Sequence, residues 1–589
     1  AHASVGDAEA AIADFGQVIA LEPRDAAAYT RRALARYEES DAEGAIADCD
    51  EAISLNPQNA AAYHYRGLAW SAIGDLEAAL ADYDRALAML PDSTPFARDR
   101  ATILTDRGLA KADLERLEDA LVDYDQAIGL APRSADAYRC RGLVFSLLGD
   151  EASSIEDYSS AISLDVQDAA AHLSRGQALY DQGNLEAAMA DFEQAIALAP
   201  TGAGQARAYQ QRGDALAGLG DLESALQDYD QAIAIYSEAG GAAAVDIATE
   251  EPATDKDRAE AYRSRGHVHA MLGDLDSALA DYGQAISLNP EDALARHYRG
   301  DARLEQGDVQ RAITDLDGAV TLIPQGETGS AALWCSRGFA RYAIGDLVGA
   351  SRDCDRALSL DPMLGLAYRN RSIVSCALGD ADAAILDCDR ALVLDPEDEA
   401  AYYHRGLALH QQGAYALAIA DFAQTIALCP DDRHHAARKA VAHIHRGLAH
   451  EAQGEQGAAL ADYTRAIALF PVGTEEGAAF CAEKAAAHFH RGQAHFRQGK
   501  VDKAIDDFTR ALTLYAGEVE GGAGKCAWNG VSIGVFGRLT TDADRAATYS
   551  SRALAYGSRG EMEVAIADYT QSIAHYTGIK SCSAQEARS

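Results

Sequence analysis

Seventeen histidines and ten cysteines are the side chains of this 589-residue sequence best suited to metal binding, nucleophilic attack or proton transfer. Ten of the histidines fall between positions 404 and 495, and His404, His445 and His490 recur at one place in three successive repeats. That recurrence leaves three readings open: packing or groove lining, pH-sensitive recognition, and a shared metal. No H-E-x-x-H and no histidine pair at i,i+4 spacing accompanies them, and helices 8–10 Å apart bring single histidines together poorly. The cysteines at 49, 140, 335, 354, 376, 388, 429, 481, 526 and 582 include no C-x-x-C pair, so zinc and thioredoxin-like chemistry find no ligand spacing. A bond between Cys526 and Cys582 has no support from spacing. Gly530-Val531-Ser532-Ile533-Gly534 spells G-x-S-x-G, but that motif needs the strand–turn–helix elbow of an α/β domain. Gly521-Gly522-Ala523-Gly524-Lys525-Cys526 imitates a phosphate loop, yet Cys526 replaces the metal-binding hydroxyl and Val519 the first glycine. No catalytic, metal or cofactor site is therefore expected, and the protein is read as a non-enzyme.

With 91 acidic against 51 basic residues, the net charge of −40 opposes binding to nucleic acid or to anionic lipid. No apolar run reaches 18 residues, so no membrane insertion is expected. The unpaired cysteines suggest a cytoplasmic default. The chain begins without Met and without a basic n-region, which leaves secretion open and the compartment undetermined.

The elements that must carry these residues form a repeat. The segment Ala60-Ala61-Ala62-Tyr63-His64-Tyr65-Arg66-Gly67-Leu68-Ala69 returns along the whole chain. Its arginine recurs at Arg32, Arg66, Arg107, Arg141, Arg175, Arg212, Arg265, Arg299, Arg337, Arg371, Arg405, Arg446, Arg491 and Arg552, six of the intervals being 34 residues. Apolar residues at helical spacing stand on both sides of a Gly-Asp break, as at Gly74-Asp75, and a proline such as Pro91 follows. Each repeat thus predicts two helices, A and B, joined by a short turn. Neither buries its apolar stripe without a stacked neighbour.

With Ala60 as position 1, the pattern resembles the tetratricopeptide repeat family: Tyr63 at position 4, Gly67 at 8, Ala79, Tyr83, Ala86 and Pro91 beyond. Fourteen repeats and a preceding half repeat match. The departure is arginine at position 7, where the family usually has an apolar residue. The resemblance implies an all-α fold, an α-solenoid of antiparallel helix pairs stacked into a right-handed superhelix, with helix A forming the concave wall.

The expected organisation is a half repeat (1–25), repeats 1–6 (26–239, with an insertion at 94–100), a loop (240–258) and repeats 7–13 (259–518). A long insertion (519–545) with a candidate hairpin at Asn529-Gly530 follows, then repeat 14 (546–579) and a tail (580–589). Insertions near 327–330, 433–439 and 474–484 are read as earlier starts of helix A, and the three residues inserted near 201–205 as loop. Aspartate at position 23 of every repeat lies on the same flank as the arginine. Intra-repeat pairs such as Arg66–Asp82 and Arg405–Asp421 are therefore expected as clamps between helices A and B. Histidines at positions 4 and 11 (His443, His488, His450, His495) are expected to pack against the preceding helix B. Cys49, Cys354 and Cys388, at position 24, are expected in the core.

Helical projection puts positions 2, 5, 6, 9, 12 and 13 on the inner wall. They include Tyr65, Leu68, Arg139, Leu143, Arg207, Gln210, Asp214, Arg263, His267, Tyr298, Asp301, Phe339, Tyr342, Arg369, Asn370, Tyr403, His404, His445, Phe489, His490 and Phe496. Such a lining suits a partner peptide or helix, so a protein-interaction scaffold is the leading expectation. The clamp that chaperone-binding members use for a C-terminal carboxylate is not found. The alternative is a structural protomer that assembles end to end through uncapped terminal repeats.

Overall fold

The computed structural model describes residues 8–91, 93–199, 202–238, 254–323, 330–430, 435–470, 480–521, 527–528, 531–532 and 541–586. It is all-α: a lone helix (Ala8–Leu21) precedes fourteen helix pairs, from Ala26–Glu38 with Ala42–Leu55 to Thr541–Arg559 with Met562–Glu586. The chain forms two compact bodies, Ala1–Val268 and His269–Ser589. Within each, every helix packs on the next, and successive A helices also touch. Two-residue strands, Ala527–Trp528 and Val531–Ser532, pair antiparallel on either side of positions 529–530, where the hairpin was expected.

The turn between helices A and B needs a left-handed residue, which glycine supplies at least cost. Gly74, at φ 84°, is typical. Repeats 1 and 3 put Ser40 (φ 63°) and Glu115 (φ 59°) there instead. Aspartate at position 16 then caps helix B: Asp75 accepts from the Ala78 N–H at 3.1 Å.

Position 0 decides where helix A starts. Where it is Asp, Asn or Ser, as at Asp25, Asn59, Ser134, Asp168, Asp292 and Asp398, the side chain accepts from the first turn and the helix begins on time. Where it is Arg, Gln or Lys, helix A runs through it and begins three to five residues earlier. These are the helices Ala97–Asp113, Ala203–Leu219, Asp255–Met271, Ala436–Ala452, Cys481–Arg497 and Thr541–Arg559. In three of the six the side chain turns back to carbonyls at the end of the preceding helix B. Arg100 donates to the Leu87 and Leu90 carbonyls at 2.9 Å, Gln205 to Ile196 at 3.2 Å and Lys439 to Cys429 at 3.3 Å.

One sequence expectation is corrected by this rule. The residues near 201–205 are not all loop, because helix starts at Ala203 once Gln205 replaces a cap. Helix A of repeat 9 begins at Ala331, immediately after Ser330, and the rest of the expected early start, 327–329, lies outside the described residues. At 433–439 and 474–484 only Ala436 onward and Cys481 onward are helical, while 433–434 and 474–479 lie outside the described residues.

Positions 8 and 24 share one space. A Cβ on Gly67 would stand 2.6 Å from the Tyr83 ring, and one on Gly406 2.8 Å from the Phe422 ring. Glycine is therefore required wherever position 24 is aromatic and buried. Where position 24 shrinks to cysteine, position 8 is larger in two repeats of three, Gly338 opposite Cys354 being the exception. Ala33 faces Cys49 and Ser372 faces Cys388, and all four are fully or nearly fully buried. Repeat 14 breaks the match with Ala553 at position 8, and there Tyr569 is 38% exposed.

Candidate functional site

The arginine at position 7 holds the scaffold together. In thirteen repeats its Nε and Nη2 donate in parallel to the two oxygens of the position-23 aspartate. Arg66 reaches Asp82 at 2.7 and 2.7 Å, and Arg405 reaches Asp421 at 2.8 and 2.7 Å. The aspartates are buried, and the bonded Arg66 and Arg405 guanidiniums are pushed up, first by that hydrogen bond. The remaining nitrogen goes where the sequence reading did not look, to position 25 of the preceding repeat. Nη1 of Arg107, Arg141, Arg371 and Arg405 donates to Asp84, Asp125, Asp355 and Asp389 at 2.6–2.7 Å. One guanidinium thus joins helix A to its own helix B and to the one before.

Histidines at position 4 join the same network. Nδ1 of His172, His443 and His488 lies 3.0, 2.9 and 2.9 Å from Asp191, Asp462 and Asp507. His450 lies 2.7 Å from Glu455, and His495 Nε2 lies 3.9 Å from Asp507. These four histidines of repeats 12 and 13 therefore face carboxylates of their own repeat, where packing on the preceding helix B was expected. Asp462 and Asp507 are held below the ordinary carboxylate range although burial opposes it, by hydrogen bonds from His443 and Arg446 and from His488 and Arg491. Cys49, Cys354 and Cys388 are buried, and burial raises Cys49 and Cys388 to about 12. Cys526, Gly522–Cys526 and most of Gly530–Gly534 lie outside the described residues. Among the described residues no group of three His, Cys, Asp or Glu is placed to hold a metal, and no helix is long and apolar enough to cross a membrane.

The second body contains a cleft of about 210 Å³ built by four consecutive A helices. Asp301, Leu304 and Glu305 come from Ala293–Gln306, and Ser336 and Phe339 from Ala331–Ile344. Leu366, Arg369, Asn370 and Ile373 come from Gly365–Leu378, and Ala400 and His404 from Glu399–Gln411. All eleven occupy positions 2, 5, 6, 9, 12 or 13. The structure thus brings together Asp301, Phe339, Arg369, Asn370 and His404 from the expected wall.

Their polar atoms are set by neighbours. Arg369 Nη1 donates to both oxygens of Asp398 at 3.1 and 3.0 Å, and Asp398 also caps the next helix A. Asn370 Nδ2 reaches Cys335 Sγ at 3.1 Å. His297 Nε2 lies 3.3 Å from Asp301 and 3.2 Å from Ser336. Burial, assisted by the Arg369 charge, lowers His404 to about 3, so it is a neutral imidazole at neutral pH.

The other expected wall residues are distributed differently. Tyr403 is fully buried and His445 is 8% exposed, so neither offers a free surface. The two rings meet edge to face at 5.6 Å, and His445 also lies against Phe422 at 5.9 Å. The small neighbours Ala437, Ala440 and Ala442 let them settle into the core. Tyr342 and Tyr298 are half-buried, Tyr298 stacking on His297 at 5.7 Å. Phe489 and Phe496 pack on the Ile505–Phe508 cluster, and His490 stacks on Tyr463 at 5.8 Å. In the first body, Tyr65 packs beside Cys49. Arg139 lies 3.6 Å from Asp168, Arg207 3.8 Å from Asp257, and Arg263 2.7 Å from Glu260. Position alone could not separate cleft from core, because the depth of a side chain depends on the neighbouring helix. The apolar lining residues Leu304, Leu366, Ile373 and Ala400 were not singled out, and among the polar groups Glu305 and Ser336 of the lining, and Asp398 beside it, were missed. Position 13, position 6 and the cap at position 0 were the signals for these polar groups.

Helix pairs of this geometry, each packed on the next, define a helical-repeat scaffold, a fold that commonly mediates protein–protein interaction. Tetratricopeptide repeat models match residues 1–60, 50–94, 105–165, 167–238, 263–327, 371–443 and 485–516, and the chain belongs to the tetratricopeptide repeat family. It is similar to tetratricopeptide repeat protein 36 of Homo sapiens (38% identity over 125 residues) and of Bos taurus (33% over 124 residues). Each match takes in 21% of this chain and spans 63% of the length of the relative. Among solved structures, a chain of the APC/C hetero-tetramer Cut9–Hcn1 aligns over 93% of both chains at 15% identity, with a TM-score of 0.40.

Proposed function

We propose that the protein is a non-catalytic scaffold that holds a partner peptide or helix against its A helices, with repeats 8–11 supplying a principal contact. The observation that carries this reading is the cleft itself: Leu304, Phe339, Leu366 and Ile373 form an apolar floor, and Asp301, Glu305, Arg369 and Asn370 place polar groups around it. A few convergent polar groups on an apolar floor fix the orientation of a bound chain. A photocrosslinking residue in place of Phe339 should attach to partner proteins under native conditions. The same residue in place of Leu386, 61% exposed on helix B, should attach to few of them. Equal capture at both positions counts against the cleft.

A second reading, assembly between copies through the terminal repeats, has its own observation. Met562, Ile566 and Ile573 on the last helix are 61%, 65% and 62% exposed. Sedimentation species that grow with concentration and vanish in Ile566→Asp would support it.

A further inference from the structure

The charges of the cleft select among partners. Arg369 lines it, but its charge is already matched by Asp398, which accepts two hydrogen bonds from Nη1 and is itself anchored by the N–H groups of Ala400 and Ala401. The opposite wall has no such balance. Asp301 sits one helical turn from Glu305, and the cation-capable group beside Asp301 is His297, which burial holds below its ordinary value and therefore neutral at neutral pH. Among the described residues no lysine or arginine pairs with Asp301 or Glu305. Two like charges on one helix face raise each other's cost of ionisation. Desolvation first, and the Asp301 charge second, hold Glu305 above the ordinary carboxylate range. Asp301 is raised by desolvation against the opposing effects of His297 and Ser336.

Resting on the peptide-groove reading above, we infer that repeats 8–11 recognise a partner segment by a lysine or arginine side chain, whose cation sits between Asp301 and Glu305 while its aliphatic stem lies on Leu304 and Phe339. Both surroundings a basic side chain needs are present, an apolar path for the methylenes and an uncompensated anionic end. A cation placed there also removes the repulsion between the two carboxylates, which an apolar or acidic residue leaves intact.

The test is selection of nine-residue peptides from a random display library on the full chain, followed by synthesis of the winners. Peptides that bind the cleft are those lost in Leu366→Trp, which fills it. The expected result is a lysine or arginine at one fixed position. Replacing an arginine there by neutral, isosteric citrulline should lower affinity at least tenfold, and so should Asp301→Asn with Glu305→Gln in the protein. The citrulline exchange leaves the protein untouched, so it reads the interaction even if the double variant folds poorly. Cleft-binding peptides that lack a basic residue, or that tolerate citrulline, overturn this inference and leave the groove standing. Peptides that ignore Leu366→Trp, or a library without winners, overturn both.

Discussion

Two layers of each repeat behave in opposite ways. Between helices A and B, positions 7, 8, 23 and 24 repeat almost unchanged, and in two of the three repeats where position 24 is cysteine, position 8 alters with it, as in Ser372 with Cys388. On the face that lines the cleft, position 9 runs through Leu68, Leu143, Asp214, His267, Asp301, Phe339 and Ile373. Uniformity in the first layer follows from geometry, because every helix pair must present the same face to the next. The second layer carries no such constraint, so its chemistry differs from repeat to repeat. The difference separates residues that build the wall from residues that read a partner.

Breaking the uniform layer should have the largest effect. Arg405→Leu leaves Asp421 buried without its two strong donors and also frees Asp389 in the preceding repeat. Removing one partner of a buried pair costs about 3 kcal/mol or more. Urea denaturation should show that loss, and hydrogen exchange should place it in repeats 10–12. A loss under about 1 kcal/mol would mean that the guanidinium sets register without holding the repeats together.

Gly108→Ala tests the match between positions 8 and 24. The added Cβ would stand 2.7 Å from the Tyr124 ring, an overpacking worth about 1–3 kcal/mol. Adding Tyr124→Cys, which recreates the Ala33–Cys49 pairing, should restore part of it. The double variant should therefore be more stable than the sum of the single changes, by about 1 kcal/mol in a double-mutant cycle. Additive losses would show that the correlation between the two positions has no energetic basis.

Acidification probes the region where the two layers meet. Burial lowers His404 and His445 to about 3 and His490 to about 4, against 6.5 in an exposed chain, with the Arg369 charge adding to it at His404 and His410 and His490 adding to it at His445. A group whose folded-state value is depressed binds its proton first in the unfolded chain. The stability these histidines contribute is therefore complete above pH 6.5 and is lost as the pH falls from 6.5 towards 4. Between pH 7.5 and 6 the midpoint of urea denaturation should drop modestly, with faster exchange in repeats 11–13 than in repeats 1–4. His445→Gln should flatten the profile, and an unchanged slope would remove these groups as its source.

Much of the wall-building layer was legible in sequence. Arginine and aspartate sixteen residues apart on antiparallel helices imply the Arg66–Asp82 pair without further information. The rung to the preceding repeat was not, although Asp84, Asp125 and Asp389 stand at position 25, because inter-repeat spacing is set by packing and not by periodicity within one repeat. The early start at Ala203 was encoded in Gln205, a residue that cannot cap helix A but can reach the Ile196 carbonyl. For the reading layer, angular projection found the face but not the depth. Tyr403 and Phe339 both belong to that projected wall, yet the first is sealed by His445 and Phe422 while the second lines the cleft. Contacts between neighbouring repeats decide that difference, and a single repeat does not contain them.

Glu115 offers a change of opposite sign. It holds φ at 59°, a conformation that costs a residue with a side chain about 1 kcal/mol relative to glycine. Glu115→Gly should raise stability by about 0.5–1 kcal/mol after the greater freedom of glycine in the unfolded chain is deducted. Calorimetry on the full chain should show a small upward shift confined to the transition of the Ala1–Val268 body if the two bodies unfold separately. No shift, or a downward one, would mean that the Glu115 side chain contributes more than its backbone costs.

The smallest effect gives the sharpest contrast, because it lies one residue from Gly108. Leu109 occupies position 9 and is 42% exposed, whereas Gly108 meets the Tyr124 ring. Leu109→Ser should change stability by no more than about 0.5 kcal/mol, as exposed substitutions generally do. If both neighbours prove equally sensitive, position 9 supports the wall and the division between building and reading layers fails in repeat 3. If only Gly108 is sensitive, the two layers are resolved to a single peptide bond, and the exposed leucines at position 9 are free to serve recognition.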